Sequence, residues 1–168
     1  KHDYPERAGF IINRPFGRTD YTFLHFEEKI TVELESQTII TEPNACILFS
    51  PKMPQFFYSK NKDITHNWMH FTPDAADLIL KYEIPENRIM YLKDSKFISR
   101  LFYKMEIELN SNNPFKEELL NSYFNEFLIR FSRSFHAQKP TFTLTSGEMA
   151  RLQNVRKTAL STPEENWS

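Results

Sequence analysis

Near residue 93 the hydrophobic pattern of this chain changes its period, and that change limits what the sequence can fold into. Before it, apolar residues alternate or come in short runs. "KITVELE" (29–35) sets Ile30, Val32 and Leu34 on one face and Lys29, Thr31, Glu33 and Glu35 on the other, the two-residue period of a half-buried strand. "GFIINR" (9–14), "DYTFLHF" (20–26), "TIIT", "ACILFS", "QFFYS" and "THNWMHF" lie at short intervals around it, and "DYTFLHF" carries apolar groups on both faces. The intervening "EPN", "PKMP" and "KNKD" read as turns. Many short strands broken in this way predict a sandwich or a small barrel. With only three glycines, its turns must rely on Asn, Asp, Lys and Glu.

Beyond residue 93 the spacing becomes helical. "DSKFISRLFYKMEIEL" offers Asp94 as an N-cap, followed by a stripe of Phe97, Leu101, Phe102 and Met105. After "NSNNP", a second helix runs through "PFKEELLNSYFNEFLIRFSRSF", with Pro114 in its first turn. Its apolar positions 115, 119, 120, 123, 124, 127, 128, 131 and 135 span an arc of roughly 220° at about 100° per residue. Docking one face on a core needs an arc of only ~100° or somewhat more. The surplus predicts a dimer interface between two copies of this helix, with Leu119, Leu120, Tyr123, Phe124 and Phe127 as candidate contacts. "HAQKPTFTLTS" (136–146) is polar and reads as a linker, and "GEMARLQNVRKTAL" is helical again.

Composition narrows the function classes. A chain of 168 residues can build one domain with a core plus an appendage, and 16 Phe and 7 Tyr argue against disorder. A net charge of −1 provides no bulk attraction to nucleic acid or to an anionic membrane. No apolar run approaches the ~20 residues that span a bilayer, and the polar start Lys1-His2-Asp3-Tyr4-Pro5 is no signal peptide, so a cytoplasmic protein is expected. The single cysteine, Cys46, has no partner for an internal disulfide and sits in an apolar strand without a basic neighbour to activate it. No Gly-x-Ser-x-Gly elbow or phosphate-cradling glycine loop occurs. A metal-dependent cupin enzyme would need about three His or Glu ligands. His25, His66 and His70 could converge, but no His-x-His pair accompanies them, and Gln55 is a poor metal ligand. Neither catalysis nor a metal or other cofactor is expected.

Several segments together resemble AraC-type bacterial transcription regulators. "INRPFGRTDYTFLHF" (12–26) is similar to the start of that family's sensor domain, where an Arg-Pro-x-Gly turn leads into a core strand. "TEPNACILFSPKMPQFFYS" is similar to its strand-proline-strand segment, "THNWMHF" to the next strand, and "NVRKTALSTPEENWS" (154–168) to the first helix and turn of its helix-turn-helix domain. The resemblance implies a cupin-like β-barrel (jelly roll) over 1–92 that binds a small effector. It further implies a helical dimerization segment over 93–138, a linker over 139–146, and the first helix of a truncated DNA-binding domain over 147–168. DNA would be met only through that last domain, and no membrane is involved. A cyclic-nucleotide-type regulatory domain has a similar order of parts, but its Gly-Glu-rich turn and Arg-Ser/Thr step are missing from residues 1–92.

The resemblance also implies site residues. In the family's arabinose-responsive member the arginine of the Arg-Pro-x-Gly turn bonds the sugar, and Arg14 occupies that place. A His-x-Trp in that member matches His66 and Trp68, the indole stacking on the sugar ring. Phe57 or Tyr58 matches an aromatic hydroxyl there; if Phe57, the hydroxyl is lost, the contact becomes purely apolar, and the case for a sugar over another small polar effector weakens. The bland alternatives are an Arg14 ion pair at a rim, and a Trp68 that merely fills a core.

Overall fold

The structure is a computed structural model that describes residues 1–137. The expected linker and the DNA-binding helix lie outside the described residues. Among the described residues nine strands form: β1 (Tyr4–Glu6), β2 (Phe10–Arg14), β3 (Tyr21–Phe26), β4 (Thr31–Leu34), β5 (Gln37–Ile40), β6 (Ala45–Phe49), β7 (Gln55–Ser59), β8 (Ile64–Phe71) and β9 (Ile89–Tyr91). They pair in two antiparallel sheets, β1-β8-β3-β6-β9 and β2-β7-β4-β5. No ladder among the described residues joins the two sheets into a closed barrel. The chain is therefore mainly β, with its longer helices after the strands.

The period-two alternation decides what each face of a strand does. Between the sheets, Leu24 and Phe26 of β3 meet Val32, Ile47, Phe49 and Phe57 in one core. On the other side of the five-stranded sheet, Phe23 of β3 and Cys46 and Leu48 of β6 pack under the helices in a second core. The residues of "YTFLHF" are therefore buried throughout, as apolar groups on both faces of a strand require.

The second core is completed by α2 (Lys96–Leu109) and α3 (Lys116–His136). Phe97, Leu101 and Phe102 of α2 are buried as the stripe predicts. The Asp94 carboxylate accepts a bond from the Lys96 amide at 3.0 Å, one residue outside the boundary residue Ser95, which makes no side-chain cap. Pro114 is not in the first turn of α3. Phe115 takes a left-handed backbone, φ 61°, and the helix begins after it, which leaves Pro114 in the preceding turn. A short helix α1 (Ala76–Lys81), entered through a single 3-10 turn at Pro73–Ala75, was not expected from the sequence.

The wide apolar arc of α3 is divided between inside and outside. Phe127, Leu128 and Phe131 are buried within the chain, whereas Leu120, Tyr123 and Phe124 are half-buried and Leu119 is exposed. Phe127 is thus withdrawn from the candidate interface. Its ring is enclosed by Phe23, Phe97, Phe102 and Phe131 and has no face left for a second copy.

Candidate functional site

The two sheets enclose a cavity of about 280 Å³. The strand period aims Phe10, Ile12 and Arg14 of β2 into it, and likewise His66, Trp68 and His70 of β8. Thr22 and Leu24 of β3, Phe57 of β7, and Tyr4 and Glu6 of β1 complete most of the wall. Four of the five candidate contact residues therefore meet here: Arg14, His66, Trp68 and Phe57. Tyr58 does not. It is one residue out of phase and lies on the outer face of the four-stranded sheet, beside Phe56 and under the Lys60 ammonium.

The cavity is layered along the strands. At one end Arg14 Nη1 donates to Gln55 Oε1 at 2.9 Å, and Gln55 Nε2 donates to Thr22 Oγ1 at 3.2 Å. Thr22 Oγ1 in turn lies 3.1 Å from His70 Nδ1. The hydroxyl oxygen can accept from Gln55 and still either donate to or accept from His70 Nδ1, so the contact fits both imidazole tautomers. Ile12, Leu24, Phe57 and Trp68 form an apolar middle. At the other end stands His66, only 4% exposed, with no hydrogen-bond partner for either ring nitrogen. Its neighbours are the rings of Tyr4, Phe10 and Phe26, with Glu6 Oε1 3.7 Å from its Nε2.

Gln55, Thr22 and His70 join the site beyond the five residues that the resemblance implies. His70 follows from His66 and Trp68 by the same period. Gln55 is signalled only by the Arg14–Gln55 pairing of β2 with β7. His25 lies on the helix side of β3, 3.2 Å from the Asn67 amide nitrogen, so the three histidines do not converge. Among the described residues no three His, Cys, Asp or Glu side chains are grouped to hold a metal ion, and no helix is long and apolar enough to cross a membrane.

Burial sets the charge states. It lowers the Arg14 and His70 pKa values from their ordinary range and raises that of Glu6. His66 and His25 are both pushed from 6.5 to about 4, chiefly by burial. Below about 6.5 the unfolded chain therefore binds protons at His25 and His66 that the folded chain refuses, and the lowered His70 acts in the same direction. Stability is expected to fall as pH drops from about 6.5 to about 4, each imidazole contributing at most ~1.4 kcal/mol per pH unit. Urea denaturation between about pH 7 and about pH 5 measures this slope, and His66→Phe should reduce it by roughly a third to a half. A variant with the wild-type slope would show that His66 does not titrate in this way.

The segment before β2 also contacts the helical layer. Lys1 Nζ and the His2 ring both reach the Glu106 carboxylate of α2, and the Asp3 amide donates to Asn67 Oδ1 at 3.0 Å. A second cavity of about 480 Å³ lies between β8 and the helices, lined by Met69, Phe71, Phe102, Met105, Leu120 and Phe124 among others. Trp68 and His70 line both cavities.

No family model matches the chain, nor does any curated protein. Among solved structures it is similar to ToxT from Vibrio cholerae, at 12% identity and a TM-score of 0.47, covering 98% of this chain and 66% of that one. It is likewise similar to ToxT from Vibrio cholerae O395 bound to (E)-4-(8-methylnaphthalen-1-yl)but-3-enoic acid, with 13% identity, a TM-score of 0.49 and coverage of 99% and 67%. A third similar structure is unsaturated fatty acid bound wild-type ToxT from Vibrio cholerae strain SCE256, with 10% identity, a TM-score of 0.41 and coverage of 99% and 64%. The chain spans about two thirds of the length of these structures.

Proposed function

We propose that residues 1–137 are the effector-sensing and dimerization part of a cytoplasmic AraC-type transcription regulator, without catalytic activity. The observation that carries the reading is the inter-sheet cavity, where Arg14, His66 and Trp68, separated in sequence, line one hollow. A cavity with an apolar middle and a few convergent polar groups is the usual form of a small-molecule site. A close-packed structural core would fill that volume.

On this reading the two sheets are a cupin-like barrel in function, and the effector is a small polar metabolite. With Phe57 facing inward in place of a hydroxyl, a sugar is one candidate and not the favoured one. The exposed and half-buried apolar side chains of α3, Leu119, Leu120, Tyr123 and Phe124, serve the homodimer. Residues 139–146 link to a DNA-binding domain that begins at 147. Ligand binding shifts the population between two arrangements of the sensor, and the linker passes that shift to the DNA-binding half.

The test is recovery of a bound small molecule. The full chain, incubated with a bacterial metabolite extract and washed, should release a stoichiometric compound on denaturation, detected by mass spectrometry. Arg14→Ala and Trp68→Ala should lose it while melting within about 4 °C of wild type. Loss of stability in both variants, with no compound recovered from wild type, would reduce these residues to structural parts.

A further inference from the structure

We propose that the inter-sheet cavity selects a small hydroxyaryl carboxylate: the acid group on Arg14, the ring in the apolar middle, and the hydroxyl at His66. This rests on the reading of the cavity as an effector site and narrows the class of effector.

The charge of Arg14 is the first argument. Gln55 occupies one guanidinium N–H and fixes the plane of the group, leaving other donors of the fork for a ligand. Among the described residues no carboxylate is paired with Arg14. Asp20, the acid that acts on it electrostatically, is held in a two-pronged bond by Arg18 at 2.8 and 3.2 Å. A half-buried cation with an engaged neighbour and a cavity in front of it is complemented by an anion. The anion is singly charged. The neighbouring Arg18 is already engaged by Asp20, and His70, its pKa lowered chiefly by burial, adds no further free cation, so a phosphate dianion would be incompletely neutralised at that end.

The opposite end asks for a donor. His66 is neutral, 4% exposed, and has an unfilled acceptor nitrogen, while Glu6 beside it adds carboxylate oxygens at the wall. The positions of His70 and His66 are four residues apart on β8, so their Cα atoms stand roughly 13 Å apart at about 3.3 Å per residue. Once side chains reach inward from both ends, a body one aromatic ring long spans the remaining gap. The middle layer, Ile12, Leu24, Phe57 and Trp68, has no polar group except the indole N–H, so the body is apolar. A sugar would set several hydroxyls against that layer without partners.

The test uses the full chain and measured dissociation constants for phenylacetate, para-hydroxyphenylacetate, the primary amide of each, inorganic phosphate and L-arabinose. The acids should bind at least about 30-fold more tightly than their amides, the loss expected when a charge-assisted bond is removed. The para-hydroxyl should add about fivefold, the increment of one neutral hydrogen bond. Arg14→Gln should abolish the preference for acid over amide. His66→Phe should abolish the preference for the hydroxyl and leave the acid preference standing. Equal binding of acids and amides overturns the proposal, as does binding of phosphate or L-arabinose in place of the acids; in either case the cavity remains an effector site. If no probe binds and no compound is recovered from wild type, both the ligand class and the effector site fall.

Discussion

Replacing Phe127 with alanine is expected to destabilise the folded chain by about 3–5 kcal/mol, the range for truncating a fully buried aromatic ring. The ring is 2% exposed, and its centroid lies 4.9 Å from Phe23, 5.5 Å from Phe102 and 5.9 Å from Phe131. These partners come from β3, α2 and α3, so the cavity left behind is walled by three elements that cannot all relax into it. The companion variant separates this role from association. Leu119, eight residues earlier on the same helix, is 39% exposed and so lies outside the buried core. Leu119→Lys should leave the denaturation midpoint nearly unchanged and convert a dimer to monomers in sedimentation. A Phe127→Ala loss below about 1 kcal/mol would mean that the aromatic cluster is not the support of α3. A wild-type chain that sediments as a monomer at high concentration would remove the interface.

The second large effect is expected at Gly17. Its φ is +62°, and it closes the turn after β2 by donating its amide to the Arg14 carbonyl at 3.0 Å. An added Cβ would lie well inside van der Waals contact distance of the Met53 carbonyl oxygen, a backbone atom with no rotamer to yield. Left-handed backbone costs about 1–2 kcal/mol for an L-residue, and overpacking adds about 1–3 kcal/mol. Gly17→Ala should therefore lose about 2–5 kcal/mol in chemical denaturation. Because the same turn sets the direction of Arg14, ligand affinity should fall as well. An alanine variant that melts with wild type would show that the turn can open without loss.

Much of this architecture is readable from local pattern. The alternation in "KITVELE" and the double-sided "YTFLHF" mark a strand with one wet face and a strand with none, and both occur. The apolar stripe through Phe97, Leu101 and Phe102 marks the inner face of α2. What escapes local reading is set by distant partners. Whether Phe57 or Tyr58 faces the cavity depends on the phase of β7 against β2, which the Arg14–Gln55 pairing settles. Gln55 looks merely unsuited to a metal until Arg14, from another strand, is brought against it. The breadth of the apolar arc on α3 is visible in the sequence. Its division between the chain's own core and the outside is not, because Phe23 lies over a hundred residues away from Phe127. Helix α1 and strand β9 are too short to show any period.

Strands β3 and β8 have one consequence beyond holding the fold together. Each presents alternate side chains to two compartments, so a single backbone is the partition between the inter-sheet hollow and the layer under α2 and α3. Trp68 and Leu24 on the cavity side therefore share one main chain with Met69 and Phe23 on the helix side, with no intermediary in between.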